Sequence, residues 1–188
     1  DVTTLTVGNT VANVAFTGNG SSVTNAFTPA NDGTFVFGAS GGTQTYNGGL
    51  TTTSVGGTVT LNGTIASSDD AITLGAVTLG SNVTIDTNST TTNRADITIA
   101  AVTGGSNTLT LTTENNVTGT DITASGNISG VTTLTLASVG GTATLSGDVD
   151  VTTLTVGNTV ANVAFTGNGS SVTNAFTPAN DGTFVFGA

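Results

Sequence analysis

The chain contains no cysteine, methionine, tryptophan, histidine or lysine, and its one cation, Arg94, faces 11 acidic residues. Each absence closes off a chemistry. Without Cys there are no disulfides, thiolate metal sites or thiol nucleophile. Without His or Lys, a Ser or Thr hydroxyl has no ordinary base to take its proton. A net charge of −10 argues against a nucleic-acid partner or an anionic membrane surface. No apolar run approaches the ~18 residues of a membrane span, so no membrane insertion is expected. Helix formers are scarce as well, and no window repeats apolar residues at helical spacing over three turns.

What remains is a β composition. About a third of the residues are Thr or Ser, 27 are Gly, and the hydrophobic 36% is mostly Val, Leu, Ile and Ala. β-branched residues suit a pleated strand, and Gly and Asn suit the turns between strands. Short segments alternate apolar and polar residues: 4–7, 58–61, 72–74, 77–79, 83–85, 97–99, 108–111, 133–136 and 142–145. In each, aliphatic side chains face one way and mostly threonines the other. That regularity separates the chain from unfolded Thr/Gly/Ser-rich sequences.

Residues 1–39 recur letter for letter as residues 150–188. We therefore expect one full period of a tandem repeat over 1–149 and the start of an identical period over 150–188, without a linker, as part of a longer array. Smaller repeats lie inside the period. Val131–Leu136 (VTTLTL) returns as Val151–Val156 (VTTLTV), 20 residues on. Gly56–Leu61 (GGTVTL) returns as Gly140–Leu145 (GGTATL), 84 residues on, or about four coils. The expectation is an all-β, right-handed parallel β-helix (β-solenoid) with about 20 residues per rung, rungs about 4.8 Å apart and about seven rungs per period. A string of β-sandwich domains is the competing architecture. Four Phe and one Tyr per period are few for aromatic-anchored sandwich cores.

Segments such as Gly42–Gly48 (GTQTYNG), Asp70–Gly80 (DAITLGAVTLG), Asp96–Ile99 leading to Gly105–Leu111, and Gly141–Asp148 (GTATLSGD) resemble the repeats of filamentous-haemagglutinin-type adhesins, exported by two-partner or autotransporter routes. The resemblance covers nearly the whole chain and rests on rung pattern and short phrases. It implies a bacterial, extracellular β-helical shaft at the cell surface, used in adhesion, aggregation or biofilm.

The candidate catalytic groups are Asp148 and Asp150, expected on the same side of a strand, and the adjacent Asp69 and Asp70, with Arg94 the sole cation to hold developing charge. Solubilising acids at turns and strand ends are the plainer reading, and we expect no enzyme, no cofactor and no metal site. Asn31-Asp32-Gly33 and Asp148-Val149-Asp150 offer two or three oxygens each, short of the six to eight that Ca²⁺ takes, and Asp32 is expected to bond local backbone at its turn. Outward pairs Thr4/Thr6, Thr43/Thr45, Thr58/Thr60, Thr108/Thr110, Thr133/Thr135 and Thr142/Thr144 raise ice binding, although their uneven spacing speaks against one flat rank. Phe16, Phe27, Phe35, Phe37 and Tyr46 are expected to stack inside the solenoid, with an exposed carbohydrate-binding ladder as the alternative. Seven Asn-x-Ser/Thr sequons are no more than this composition yields by chance.

The functional expectation is a structural extracellular stalk or filament. Its partners would be neighbouring repeats of the same chain stacked end to end, with lateral self-association and a cell-surface glycan or receptor as further partners. A carbohydrate-binding adhesin module and a polysaccharide-active enzyme are the alternatives. An excised segment with open strand edges would associate end to end.

Overall fold

The computed structural model describes residues 1–87, 95–113 and 118–187. Among them there is no helix. The strands are β1 (Val14–Phe16), β2 (Ser21–Val23), β3 (Phe35–Phe37), β4 (Thr43–Tyr46), β5 (Leu50–Thr51) and β6 (Val59–Ala66). They continue with β7 (Ile72–Asp86), β8 (Ile97–Thr103), β9 (Thr108–Thr112) and β10 (Ile122–Ala124). The last are β11 (Ile128–Leu145), β12 (Val149–Phe165), β13 (Ser171–Val172) and β14 (Phe184–Phe186). Every pairing is parallel, and partners lie one coil apart, giving a β-solenoid of about 8 turns with ~21 residues per turn.

Three faces wind around one core, and each is a column of stacked residues. The first runs Val14, Phe35, Val59, Val77, Val102, Ile128, Val149. The second runs Gln44, Ile65, Ile85, Leu111, Leu136, Val156. The third runs Phe27, Leu50, Ile72, Ile97, Ile122, Ala143, Val163, Phe184. The period-two alternation is what permits this: β6, for example, alternates buried and half-buried residues along its whole length. Stacked aliphatic residues thereby form one hydrophobic core running through the chain.

Coil length varies from 18 residues (Val59 to Val77) to 26 (Val102 to Ile128), with 21 at both copies of the repeated stretch. Part of the extra length falls between the second and third faces, after Asp86 and Thr112 and before Ile97 and Ile122. Buried hydroxyls span those corners: Thr87 Oγ1 donates to Ala95 O at 2.8 Å, and the Thr113 and Thr120 hydroxyls lie 3.3 Å apart. Elsewhere coils close so tightly that only glycine fits. A β-carbon on Gly147 would lie 2.2 Å from the carbonyl carbon of Gly126, and one on Gly167 would lie 2.3 Å from the oxygen of Gly147.

Three sequence expectations need correction. From Val14 to Val149 the first face takes six steps, and Val163, the counterpart of Val14, lies two faces further on. The period is thus six and two-thirds coils rather than seven, because the middle coils are longer than 20 residues. For the same reason Val59 and Ala143, related by 84 residues, sit on the first and third faces, three and two-thirds coils apart rather than four. Finally, residues 4–7 form no strand, whereas the identical residues 153–156 belong to β12 and pair with β11. A strand needs a neighbour, and the first coil has a neighbour on one side only.

Candidate functional site

The acidic candidates serve the scaffold. Asp148 Oδ1 accepts the Gly169 N–H at 2.7 Å, and Asp150 Oδ1 accepts the Ser171 hydroxyl at 2.8 Å, each from the coil above. Asp1, the counterpart of Asp150, accepts both the N–H and the hydroxyl of Ser22 in the same way. Asp96 accepts the Asp121 N–H, and Asp121 accepts the Thr142 N–H, both at 2.8 Å. Asparagines do the same work: Asn13, Asn19, Asn82, Asn127 and Asn162 each accept an N–H from the next coil at 3.0 Å. The shared requirement is a short side chain with an acceptor oxygen at a strand end. Each such bond is worth about 1 kcal/mol.

Other expected site residues separate. Asp69 has φ +76°, a left-handed turn conformation, and neighbouring Asp70 uses its backbone carbonyl to accept the Ser67 hydroxyl. Asn31 is fully buried, and its amide donates to Gly33 O at 2.9 Å and Thr34 O at 3.0 Å. Asp32 points to solvent. The side chain that holds this turn is therefore Asn31 rather than Asp32, because an amide can donate to the two turn carbonyls and a carboxylate cannot. Arg94 lies outside the described residues. Among the described residues no three His, Cys, Asp or Glu side chains gather at metal-binding distance, and no helix is long and apolar enough to cross a membrane.

The threonines are more ordered than their spacing in the chain suggests. Thr43, Thr64, Thr84, Thr110, Thr135 and Thr155 stack as one column over six coils of the second face. Thr51, Thr73, Thr98, Thr123 and Thr144 form a second column on the third face. A two-wide rank exists only where Thr108/Thr110, Thr133/Thr135 and Thr153/Thr155 stack over three coils. Coil-length differences are absorbed at corners, which keeps the columns in register. Columns on two faces fit mutual support between strands, each cross-strand Thr pair contributing roughly 0.2–1 kcal/mol.

The aromatic cluster is internal. Phe27, Phe35, Phe37 and Tyr46 are fully buried, so they present no carbohydrate-binding ladder. Phe27 stacks on Tyr46 at 5.8 Å and meets Phe35 and Phe37 edge-on at 5.9 and 6.4 Å, while Phe35 and Phe37 stack at 4.0 Å. Gln44, which the sequence reading did not single out, anchors this cluster. Its Nε2 donates to Phe16 O at 2.6 Å and Gly18 O at 3.2 Å, and its Oε1 accepts the Tyr46 hydroxyl at 2.9 Å. Burial pushes the Tyr46 phenol well above its ordinary pKa.

At the other end of the chain the same aromatics lie open. Phe186, counterpart of Phe37, is 69% exposed. A cavity of about 440 Å³ opens beside it, lined by Phe165, Gly167, Asn168, Val172, Phe176 and Phe186 among others. The remaining surface depressions are polar and shallow, and only one holds a carboxylate, that of Asp150. Comparison with protein-family models, curated proteins and solved structures found no match.

Proposed function

We propose that this chain is a length of an extracellular structural β-solenoid, a stalk or filament built from tandem periods and serving bacterial cell-surface adhesion, aggregation or a biofilm matrix. The observation that carries the reading is the reuse of an identical 39-residue stretch inside one continuous parallel stack, with β12 running through the start of the second copy. A solenoid that absorbs a second copy in this way gains length by repetition, and its stability accumulates coil by coil. The carboxylates, asparagines and threonines already occupied between coils leave little outward chemistry for catalysis, which favours a mechanical role over a polysaccharide-active one. The resemblance to filamentous-haemagglutinin-type repeats adds the cell-surface setting.

The test is a polypeptide of three consecutive 149-residue periods. Electron microscopy should find a straight rod lengthening by about 32 Å per period, at six and two-thirds coils of about 4.8 Å each. Displayed on a bacterial surface, the array should promote settling of the cells in proportion to its length. Separate beads on a string, or settling indifferent to array length, would count against the filament.

A further inference from the structure

The open edge beyond Phe186 has a known complement, because the first copy of the same sequence is covered. Subtracting one period turns Phe165, Gly167, Asn168, Val172, Phe176 and Phe186 into Phe16, Gly18, Asn19, Val23, Phe27 and Phe37. In the first copy those six residues are the seat of the next coil. Gln44 bonds the carbonyls of Phe16 and Gly18, Thr43 N–H donates to Asn19 Oδ1 at 3.0 Å, and Tyr46 packs on Phe27 and Phe37 with its backbone paired to Val23. The cavity is the space that Gln44 and Tyr46 fill one period earlier.

We propose that this edge is a docking surface specific for a second copy of residues 40–62, the coil that carries Gln44 and Tyr46. The surface is formed before anything binds. The terminal coil keeps the pairings of the first copy, Val163 with Phe184 and Val151 with Val172 where the first has Val14 with Phe35 and Val2 with Val23. The Gly187 N–H reaches Phe165 O at 2.8 Å as Gly38 N–H reaches Phe16 O at 2.9 Å. Only the aromatic tips differ: Phe184 and Phe186 tilt by 46°, and both pack on Phe165, where Phe35 and Phe37 lie nearly parallel beneath the next coil.

Any extended peptide could add backbone bonds to such an edge, so selection must come from side chains. The buried glutamine supplies it. Its amide satisfies two carbonyls of the seat, and its oxygen is satisfied by the Tyr46 hydroxyl, so a segment without this pair leaves buried polar groups unmet. A second folded chain offers its own Gln44 and Tyr46 only from inside its stack, where both are fully buried. The occupant is thus the segment itself, and the proposal rests on the stacked-coil fold rather than on the filament reading.

The test mixes the 188-residue chain with a fluorescently labelled synthetic peptide of residues 40–62 and follows anisotropy. Saturable one-to-one binding is expected, at least tenfold weaker for a peptide carrying Gln44→Ala and Tyr46→Ala, and absent for a scrambled peptide. Equal binding of the native and doubly substituted peptides would reduce the edge to a generic strand acceptor and overturn the proposal. So would failure of the native peptide to bind a chain whose β-sheet circular dichroism is intact. If the free chain pairs end to end, saturating peptide should dissolve the pairs in sedimentation, and pairs that persist would overturn the proposal as well. None of these results bears on whether covalently continuous arrays form rods.

Discussion

Val14 and Val163 occupy the same place in two identical stretches of sequence, yet Val14 stacks on the first face of the solenoid and Val163 on the third. Successive periods are therefore turned by a third of a revolution, and three of them return to the starting orientation after 20 coils. A feature present once per period would appear on all three sides of a long array. Spin labels at outward positions read this directly. Ala15 and Asp150 share the first face, whereas Ala164 points out from the third. The Ala15–Asp150 distance should be about 29 Å, six coils at about 4.8 Å. The Ala15–Ala164 distance should be clearly longer, since it adds a displacement across the prism to a greater rise. The opposite order would mean that the period closes on a whole number of turns.

Identical residues should also differ in energetic weight. Leu154 is 5% exposed and lies between Leu134 below and the terminal coil above, while its counterpart Leu5 sits half-buried in a coil with no neighbour beneath it. Leu154→Ala should cost about 2–5 kcal/mol, as core truncations do, and Leu5→Ala about 1 kcal/mol or less. Chemical denaturation of the two variants checks this. Equal losses would place the first coil in the core.

This contrast marks what the sequence made legible. Strands at Val59–Leu61, Ile72–Leu74 and Leu109–Leu111 could be read because alternate residues there bury their aliphatic side chains, and alternation is local information. The stacking of Val131 on Val151 was equally visible, since one phrase repeats at coil spacing. Coil count was not visible, because residues added at a corner change the length of a turn without disturbing any strand. Nor could residues 4–7 be known to lack strand structure, as the pairing partner and not the segment decides it. Site chemistry was hardest to read. Asp148 and Asp150 are two apart in sequence, but the groups that define their work, Gly169 and Ser171, lie 21 residues away. Gln44 had one signal that could have found it: it is the chain's sole glutamine, two residues from its sole tyrosine.

The bond between coils at Asp148 separates a scaffold role from a catalytic one. One coil below, Asn127 Oδ1 accepts the Asp148 N–H at 3.0 Å, and Asp148 Oδ1 accepts the Gly169 N–H at 2.7 Å. Amide and carboxylate thus perform the same task at successive levels of one column. Asp148→Asn should leave the melting midpoint nearly unchanged, and Asp148→Ala should cost about 1 kcal/mol. A general acid or base would not survive the change to Asn. Turnover of an acidic polysaccharide by the native chain, lost in Asp148→Asn, would reverse the assignment.

Tyr46 gives the chain a single-group response to alkali. No Lys, Cys or second Tyr is present, so above the range of the terminal amine and below that of Arg94 its phenol is the only side chain expected to lose a proton. Burial raises its folded pKa above the ordinary value of 10.0, which means that the fold favours the neutral phenol. The associated stability is whole below about pH 10, where folded and unfolded chains are both protonated, and declines as pH rises above it because only the unfolded chain ionises. Tyrosinate absorbance should therefore stay absent from the folded chain past pH 10 and appear together with loss of β-sheet circular dichroism. Tyr46→Phe should flatten that alkaline decline while lowering stability near neutral pH by about 1–3 kcal/mol, because Gln44 Oε1 loses its only observed donor in a dry interior. A phenol that ionises near its ordinary value with the sheet intact would put Tyr46 at the surface and remove the basis for the aromatic seat.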